Sequence, residues 1–349
     1  VFLDRARRPA AAVAAVCLAA AVLVGACGAT PVTPAPSAEA PAASSAASPA
    51  ASAAAPSPAA TPPPTLGPSP APAGPDPLLG TDGRFTILLL GTDYRPAHPG
   101  NRTDAIMVVS LDPASGQVGV FSVPRDTTMF PMPEGGTYHS KVNGLYQYYQ
   151  SKNGHGLASM KNAISKAYDV EVDFAVLTGF DGVRKLISAV GGVTITMAKA
   201  YYDPIYWVTN KQQGWGLSAG THHLDGTNAL IFARSRKGDN DFNRTRRQQQ
   251  LVAAAVTKVL SKGTDILPTL LSVADGTTTT DLPLLRVMDL YALVKTADLA
   301  SAQGSVFGPR TYATGAGGTD FTPNIDVCRA WVKKHFPPAK PGAVWPPQG

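Results

Sequence analysis

The chain has 349 residues, a formal net charge of +6, and 33 glycines and 32 prolines among them. Length alone suggests two or three domains, but residues 28–77 are almost entirely Ala, Pro, Ser and Thr, which excludes a packed core there because so little large apolar surface cannot repay the entropy of ordering the chain. Of the three cysteines, Cys17 and Cys27 lie in the first 27 residues, so Cys328 alone remains, and this excludes an internal disulfide or a cysteine-rich metal site in the folded part.

Residues 1–27 open with a basic stretch, "DRARRPA", followed by the apolar run "AAVAAVCLAAAVLVGAC". Such a run can span a bilayer and also reads as an export signal. Its end, Val24-Gly25-Ala26-Cys27, has the form of a lipobox, where small residues before a cysteine permit cleavage and lipid attachment. A lipid anchor on Cys27, an uncleaved N-terminal transmembrane helix and plain secretion stay open. All three place the remainder outside the cytoplasm, and the first two tie it to the cytoplasmic membrane. Residues 28–77 are expected as a semi-extended, Ala/Pro/Ser-rich disordered spacer, 78–336 as the folded part, and 337–349 as a flexible tail.

Within the domain, "RFTILLLG" (84–91) suits a central strand. "AIMVVSL" (105–111) and "QVGVFSV" (117–123) flank the turn sequence "DPASG" and read as a hairpin. "HGLASMKNAISKAYDV" has a helical pattern, "VDFAVLTG" reads as a strand, and "FDGVRKLISAVGG" as a helix ended by glycine. "VTITMA" is a strand, and "HLDGTNALIFARSR" is expected as a short helix running into a strand. "DFNRTRRQQQLVAAAVTKVL" is the clearest helix, with Leu251, Ala255 and Val259 on one stripe. Helices around "TLLSVAD" and "LPLLRVMDLYALVKTA", an edge strand near "SVFGPR" and a last helix at "NIDVCRAWVKKHF" follow. Strands alternate with helices, but the early hairpin rules out an all-parallel sheet. The expected fold is α/β (α-β-α), a mixed central sheet flanked by helices on both sides.

Charged residues recur at the strand ends. Asp93 and Arg95 follow the first strand, Arg102 and Asp104 precede the second, and Arg125 and Asp126 follow the third. If the first two strands are antiparallel neighbours, these residues share one rim. Arg234 and Arg236, two apart, would share one face of an extended chain. Arg244 and Gln248 continue the inward stripe of the long helix, with Arg247 close by, and the helix N-terminus adds to their positive field. Arginine offers planar, bidentate donation to phosphate. Two carboxylates on one rim would accept a bridging divalent cation, Mg²⁺ or in its place Mn²⁺. Together these groups describe a pyrophosphate site. The competing reading, that Asp93–Arg95, Arg102–Asp104 and Arg236–Asp239 are surface ion pairs worth about 0–1 kcal/mol each, stays open. No Ser-His-Asp or Cys-His set is present in persuasive spacing, and the adjacent His222 and His223 have no zinc-ligand partner. Nucleic acid is disfavoured by the export segment and by the lack of a lysine-rich face interleaved with aromatics. The tyrosines of "NGLYQYYQ" and "AYYDPIYW" line an edge or groove, or else belong to the core and its rim.

The segments "ILLLGTDYR", "NRTDAIMVVSLDPASGQVGVFSVPRDT", "KVNGLY", "VDFAVLTGFDGVRKLISAVGGVTI" and "LDGTNALIFARSRKGDNDFNRTRRQQQ" resemble the LytR-CpsA-Psr family of bacterial cell-envelope proteins over roughly residues 85–260. The resemblance implies a phosphotransferase that moves a glycopolymer from a polyprenyl-pyrophosphate carrier onto a peptidoglycan acceptor through a phosphodiester, with arabinogalactan or another secondary wall polymer as cargo in actinobacteria. It also implies an apolar lipid-binding cavity. It assigns Asp93 and Asp104 to Mg²⁺, and Arg95, Arg125, Arg234, Arg236, Arg244 and Arg247 to the pyrophosphate, with Lys141 touching the head group. Asp241 matches the acid proposed to activate or orient the acceptor hydroxyl, so Asp241, Arg125 and Arg244 are the catalytic candidates. A lipobox departs from the single transmembrane helix usual in the family. A pyrophosphatase acting on the same lipid and a non-catalytic lipid- or wall-polymer-binding attenuator are the alternatives.

Overall fold

The computed structural model describes residues 78–94, 101–309, 311–314 and 320–347. The leader, Cys27, the spacer and Arg95 lie outside the described residues. Among the described residues the strands of three or more residues are, in chain order, β1 (Phe85–Thr92), β2 (Thr103–Leu111), β3 (Val118–Val123), β4 (Phe174–Thr178), β5 (Val193–Met197), β6 (Tyr201–Trp207), β7 (Gln213–Leu217), β8 (Gly220–Leu224), β9 (Thr278–Thr280) and β10 (Gln303–Val306). The helices are α1 (Leu145–Asn153), α2 (Gly156–Tyr168), α3 (Phe180–Ala189), α4 (Gly226–Arg234), α5 (Asp241–Lys262), α6 (Leu267–Ala274), α7 (Val287–Lys295) and α8 (Ile325–His335).

Every residue of β1 is buried, as an apolar run must be when both faces of its sheet are covered. The central sheet runs β9-β4-β1-β2-β3-β10. β4 is parallel to β1 and β10 parallel to β3, and the other pairings are antiparallel, so the sheet is mixed. Side-chain alternation sends Ile87, Leu89 and Met107 to one face, where they pack with Leu186 of α3, Phe232 of α4 and Leu251 and Ala255 of α5. Leu88, Leu90, Val108 and Phe121 go to the other face, against Leu145 of α1, Ile164 of α2 and Cys328 of α8. The result is an α-β-α sandwich. No helix among the described residues is long and apolar enough to cross a membrane.

Residues 220–234 reverse the expected order, since a strand, β8, runs into a helix, α4. Asp225 caps that helix, its side chain accepting from the Asn228 amide at 2.7 Å. The run Leu230–Ala233 is buried, and a helix buried nearly all round loses the periodicity that separates it from a strand. Gly226 belongs there because a β-carbon on it would lie 2.1 Å from the Arg184 carbonyl oxygen of α3. β5 and β8 pair apart from the central sheet, as do β6 and β7.

The stretch read as a tail makes contacts with the domain through Pro347. Pro337 accepts from buried Arg84 at 3.1 Å, and Trp345 donates its indole N–H to the Asp289 carbonyl at 2.9 Å. Cys328 is fully buried, and burial pushes its thiol up to about 12, so it is an inert packing residue.

Asp173 sits just before β4 and accepts from the Thr86 amide at 2.7 Å, yet burial pushes its carboxyl up to about 8. The unfolded chain releases this proton near the ordinary 3.8. The folded state therefore holds the proton between those values, and the stability this gives is full below the lower one and lost as pH rises through the upper one. Each unit corresponds to about 1.4 kcal/mol. Asp173→Asn keeps an acceptor for Thr86 and removes the titration. In urea denaturation we expect this variant to match wild type at pH 4 and to exceed it at pH 9. Equal stability at pH 9 would contradict the assignment.

Candidate active site

The antiparallel pairing of β1 with β2 and of β2 with β3 brings three charged strand ends to one rim. The register slips between Gly91 and Thr92, which pair with Ala105 and Thr103, so Asp104 is the extra residue of a bulge. Bulges re-aim a side chain and commonly sit beside functional sites. Across it, the Asp93 amide donates to the Arg102 carbonyl at 3.1 Å, and the Arg102 amide donates to Asp93 Oδ1 at 3.0 Å. Asp104 is buried, its Oδ1 accepting from Asn143 Nδ2 at 2.8 Å and its Oδ2 from Arg125 Nη1 at 3.2 Å.

Helix α5 enters from the other face. Asn240 caps it by accepting from the Asn243 amide at 2.9 Å, which leaves Asp241 as its first residue. The inward stripe anticipated from sequence is present, with Arg244, Gln248, Leu251, Ala255 and Val259 all buried. Arg244 is completely buried. Its Nη1 lies 3.0 Å from Asp241 Oδ1 and its Nη2 donates to Asp241 Oδ2 at 3.0 Å, a two-pronged pair, while Nη2 also reaches the Asp104 carbonyl at 3.3 Å. Arg125 Nε and Arg236 Nη1 each stand 3.9 Å from Asp241 Oδ1. One carboxylate thus gathers three guanidinium groups from the end of β3, the α4–α5 loop and α5. Arg244 is fixed tightly, whereas the Arg236 side chain is 34% exposed and accessible from solvent.

The remaining expected residues separate into three groups. Arg234 ends α4 rather than a strand, so it does not share an extended face with Arg236. Its guanidinium lies over the Phe180 ring at 4.2 Å, at the rim where β4 ends. Its Nε is buried without a hydrogen-bond partner among the described residues, an orphaned donor of the kind an anion satisfies. Arg247 is engaged elsewhere. It pairs with Asp239 at 2.6 Å, donates to the carbonyls of Phe232 and Ser235, and lies over the Tyr201 ring at 4.0 Å. Lys141 bridges Asp126 at 2.8 Å and Asp320 at 2.9 Å. The hydrogen bond to Asp126 holds its ammonium above the ordinary lysine range.

Sequence reading missed Asn143, which orients Asp104, and Asp203. Buried Asp203 Oδ2 accepts from Ser235 Oγ at 2.7 Å and from the amides of Arg236 and Lys237 at 3.0 Å. Burial raises its carboxyl, but these bonds outweigh it and hold the group below its ordinary value. Asp203 thereby fixes the loop that carries Arg236 to Asp241. The Asp-Pro dipeptide in "AYYDPIYW" was the available signal of a special backbone position.

Residues 59–305, more than half of the chain, match the model of the LytR_cpsA_psr family. The chain belongs to the LytR_cpsA_psr family. It is 31% identical over 175 residues to the polyisoprenyl-teichoic acid–peptidoglycan teichoic acid transferase TagU of Bacillus cereus (strain AH820), covering 50% of this chain and 52% of the relative. It is 29% identical over 180 residues to the corresponding transferase TagV of Bacillus subtilis (strain 168), covering 51% and 44%. The chain spans about half the length of these curated relatives. Among solved structures, TagT bound to LIIa-WTA superposes with a TM-score of 0.57 at 23% identity, over 73% of this chain and 90% of that one. B. subtilis TagV gives 0.56 at 22% identity, over 73% and 97%. These likenesses show a shared fold.

The LytR_cpsA_psr domain contains no group of three or more His, Cys, Asp or Glu able to hold a metal among the described residues. Asp93 and Asp104 nevertheless fit Mg²⁺ in its usual manner, in which one or two carboxylates and the substrate's phosphates share a hard cation without a closed protein cage. Both are oxygen donors at one bulge, Asp104 as its extra residue and Asp93 hydrogen-bonded across from it to Arg102, and the Asp104 carboxylate is already oriented by Asn143 and Arg125.

Arg247 and Arg236 differ in burial and in how many buried partners their donors satisfy. Arg247→Ala leaves Asp239 and two helix-end carbonyls without their donor, and we expect a loss of about 3 kcal/mol of stability. Arg236→Ala, at a half-exposed position, is expected to change stability by under about 0.5 kcal/mol. Denaturant titration of both variants checks this. Equal destabilisation would contradict it.

Proposed function

We propose that this protein is a phosphotransferase that attaches a polyprenyl-pyrophosphate-linked glycopolymer to peptidoglycan outside the cytoplasm, and that arabinogalactan or another secondary wall polymer is the cargo. The observation that carries the reading is the convergence of Arg125, Arg236 and Arg244 on Asp241 at the bulged rim holding Asp104. The names of the TagU and TagV relatives supply the reaction class.

The acceptor hydroxyl attacks the phosphorus nearest the glycan, the bond to the distal phosphate breaks, and polyprenyl phosphate leaves, with the hydroxyl proton passing to the departing phosphate or to water. Arg125, Arg236 and Arg244 hold the diphosphate oxygens, with Arg234 reaching them from the Phe180 side, and neutralise the charge that grows on the leaving group. Asp93 and Asp104 would hold Mg²⁺, which supplies charge neutralisation at the phosphates. Asp241, with both oxygens within reach of guanidinium groups, orients the acceptor hydroxyl and keeps the arginines in register. Lys141, through Asp126, borders the same cluster. We place the isoprenoid against the apolar side chains between sheet and helices, because a long lipid needs a concave and mostly apolar pocket. Membrane attachment through the N-terminal segment, by lipid on Cys27 or by a helix, keeps the enzyme at its lipid substrate.

The test incubates the protein with a labelled polyprenyl-diphosphate glycan, Mg²⁺ and purified peptidoglycan. Label is expected in the sedimented peptidoglycan, and chelation of divalent ions is expected to abolish it. Label appearing only in solution would mean hydrolysis and overturn the transfer reading. Asp241→Asn, which keeps an oxygen acceptor for Arg244, is expected to lower transfer by about 10²-fold, the scale of removing one preorganised polar group, and denaturant titration reads separately the stability lost by leaving Arg244 without its carboxylate.

A further inference from the structure

The β6–β7 hairpin carries an apolar surface that the charged rim does not use. Tyr202, Ile205 and Trp207, all on β6, are 61%, 51% and 47% exposed. Single exposed apolar side chains are ordinary on a protein surface, whereas three large ones within six residues are not. The local backbone explains how they come to face outward. Tyr201 and Asp203 pair with Leu217 and Trp215 and are buried, and Tyr202 between them points away. The pairing then slips between Asp203 and Trp207. Opposite the slip sits Gly214, whose φ of 93° lies in the left-handed region that favours glycine. Past the slip, Ile205 and Trp207 stand exposed instead of following Asp203 inward.

The charge on this stretch is one-sided. From Ala198 to His223 the only acid is Asp203, which is buried and accepts from the Ser235 hydroxyl and the amides of Arg236 and Lys237. Lys199, just before β6, and Lys211, in the turn that joins β6 to β7, are exposed. Aromatic rings, an aliphatic side chain and lysines, with no exposed acid among them, make the composition that settles at the headgroup level of a bilayer. There Trp and Tyr bury a ring while keeping a polar edge wet, and Lys meets anionic lipid. The root of the hairpin adjoins the charged site. Asp203 fixes the backbone of Arg236, and the Tyr206 ring lies 5.9 Å from the guanidinium of Arg234. Both arginines belong to the set proposed to grip the diphosphate of a lipid whose tail starts in the bilayer.

We propose that the β6–β7 hairpin is a membrane contact in its own right, separate from any attachment through the N-terminal segment. Tyr202, Ile205 and Trp207 enter the headgroup region of an anionic phospholipid bilayer, with Lys199 and Lys211 on its surface charge. The contact stands on the hairpin's own surface. Its role, to hold Arg234 and Arg236 where a lipid diphosphate leaves the bilayer, rests on the transferase reading. The experiment reconstitutes the full chain in vesicles of phosphatidylcholine and phosphatidylglycerol brominated near the headgroup end of the acyl chains, and reads tryptophan emission. Bromine quenches only indoles that touch the lipid, so the signal reports the hairpin whatever the N-terminal segment does. Wild type is expected to lose part of its emission, and that quenched part is expected to vanish in Trp207→Phe, which keeps an aromatic ring in the strand. Lys199→Glu with Lys211→Glu is expected to reduce it. Quenching absent from wild type, or equal in wild type and Trp207→Phe, would overturn the proposal, as would a hairpin buried instead in a dimer that Ile205→Asp dissolves. In a transfer assay, Ile205→Ser with Trp207→Ser is expected to raise the KM for a vesicle-borne lipid diphosphate at least about tenfold, the scale of one large apolar side chain left in water. The KM for a short soluble prenyl diphosphate is expected to stay unchanged. A KM raised equally for both would overturn the hairpin's role in lipid presentation. Quenching at Trp207 in a wild type inactive on either diphosphate would sink the transferase reading and leave the membrane contact standing.

Discussion

The carboxylate of Asp241, at the first position of α5, meets guanidinium groups from three parts of the chain. That carboxylate ties the α4–α5 loop, the end of β3 and the start of α5 to one point. Arg244 is completely buried, and a buried charge is tolerated only when paired and hydrogen-bonded. Asp241 and the Asp104 carbonyl supply those partners. The same contact closes the top of the inward stripe of α5, so the packing of that helix and the assembly of the charged rim are one event.

The sheet sets where this happens. Two antiparallel pairings return three strand ends to the same edge, and the bulge at Asp104 lets its carboxylate face Asn143 and Arg125 while its carbonyl meets Arg244 from the opposite side. Away from the sheet, Asp203 holds the Ser235–Lys237 segment through three hydrogen bonds, one from the Ser235 hydroxyl and two from backbone amides. Arg236 is thereby positioned by a hairpin that carries none of the clustered charges. The site is supported on both flanks, as preorganised charge requires.

Much of this was legible in the sequence. β1 through β3, α3, α5 and the edge strand β10 follow from unbroken apolar runs, turn residues and a stripe that continues unchanged into Arg244. The adjacency of β1 and β2, which sequence could only assume, holds. Less legible is α4, whose apolar run has no helical stripe because it is buried nearly all round, so that its sequence suggests an extended chain at Arg234. Arg247 looked equivalent to Arg244 because both lie near the inward face of α5. Only the tertiary fold shows that its donors go to Asp239 and to the end of α4. The contacts of residues 337–347 were hidden by a composition of Pro, Gly and Ala that gives no periodic signal, although Trp345 finds a carbonyl partner. Asn143 and Asp203 act through hydrogen bonds to residues distant in sequence, which leave no local pattern.

The central claim is that the guanidinium groups around Asp241 exist to grip a diphosphate. A crystal structure of the protein with a short-chain prenyl diphosphate and Mg²⁺ tests it most directly. The account predicts diphosphate oxygens within hydrogen-bond distance of Arg125, Arg236 and Arg244, with the cation on Asp93 and Asp104. A diphosphate bound elsewhere, with the Arg–Asp241 cluster unchanged and uncontacted, would contradict it.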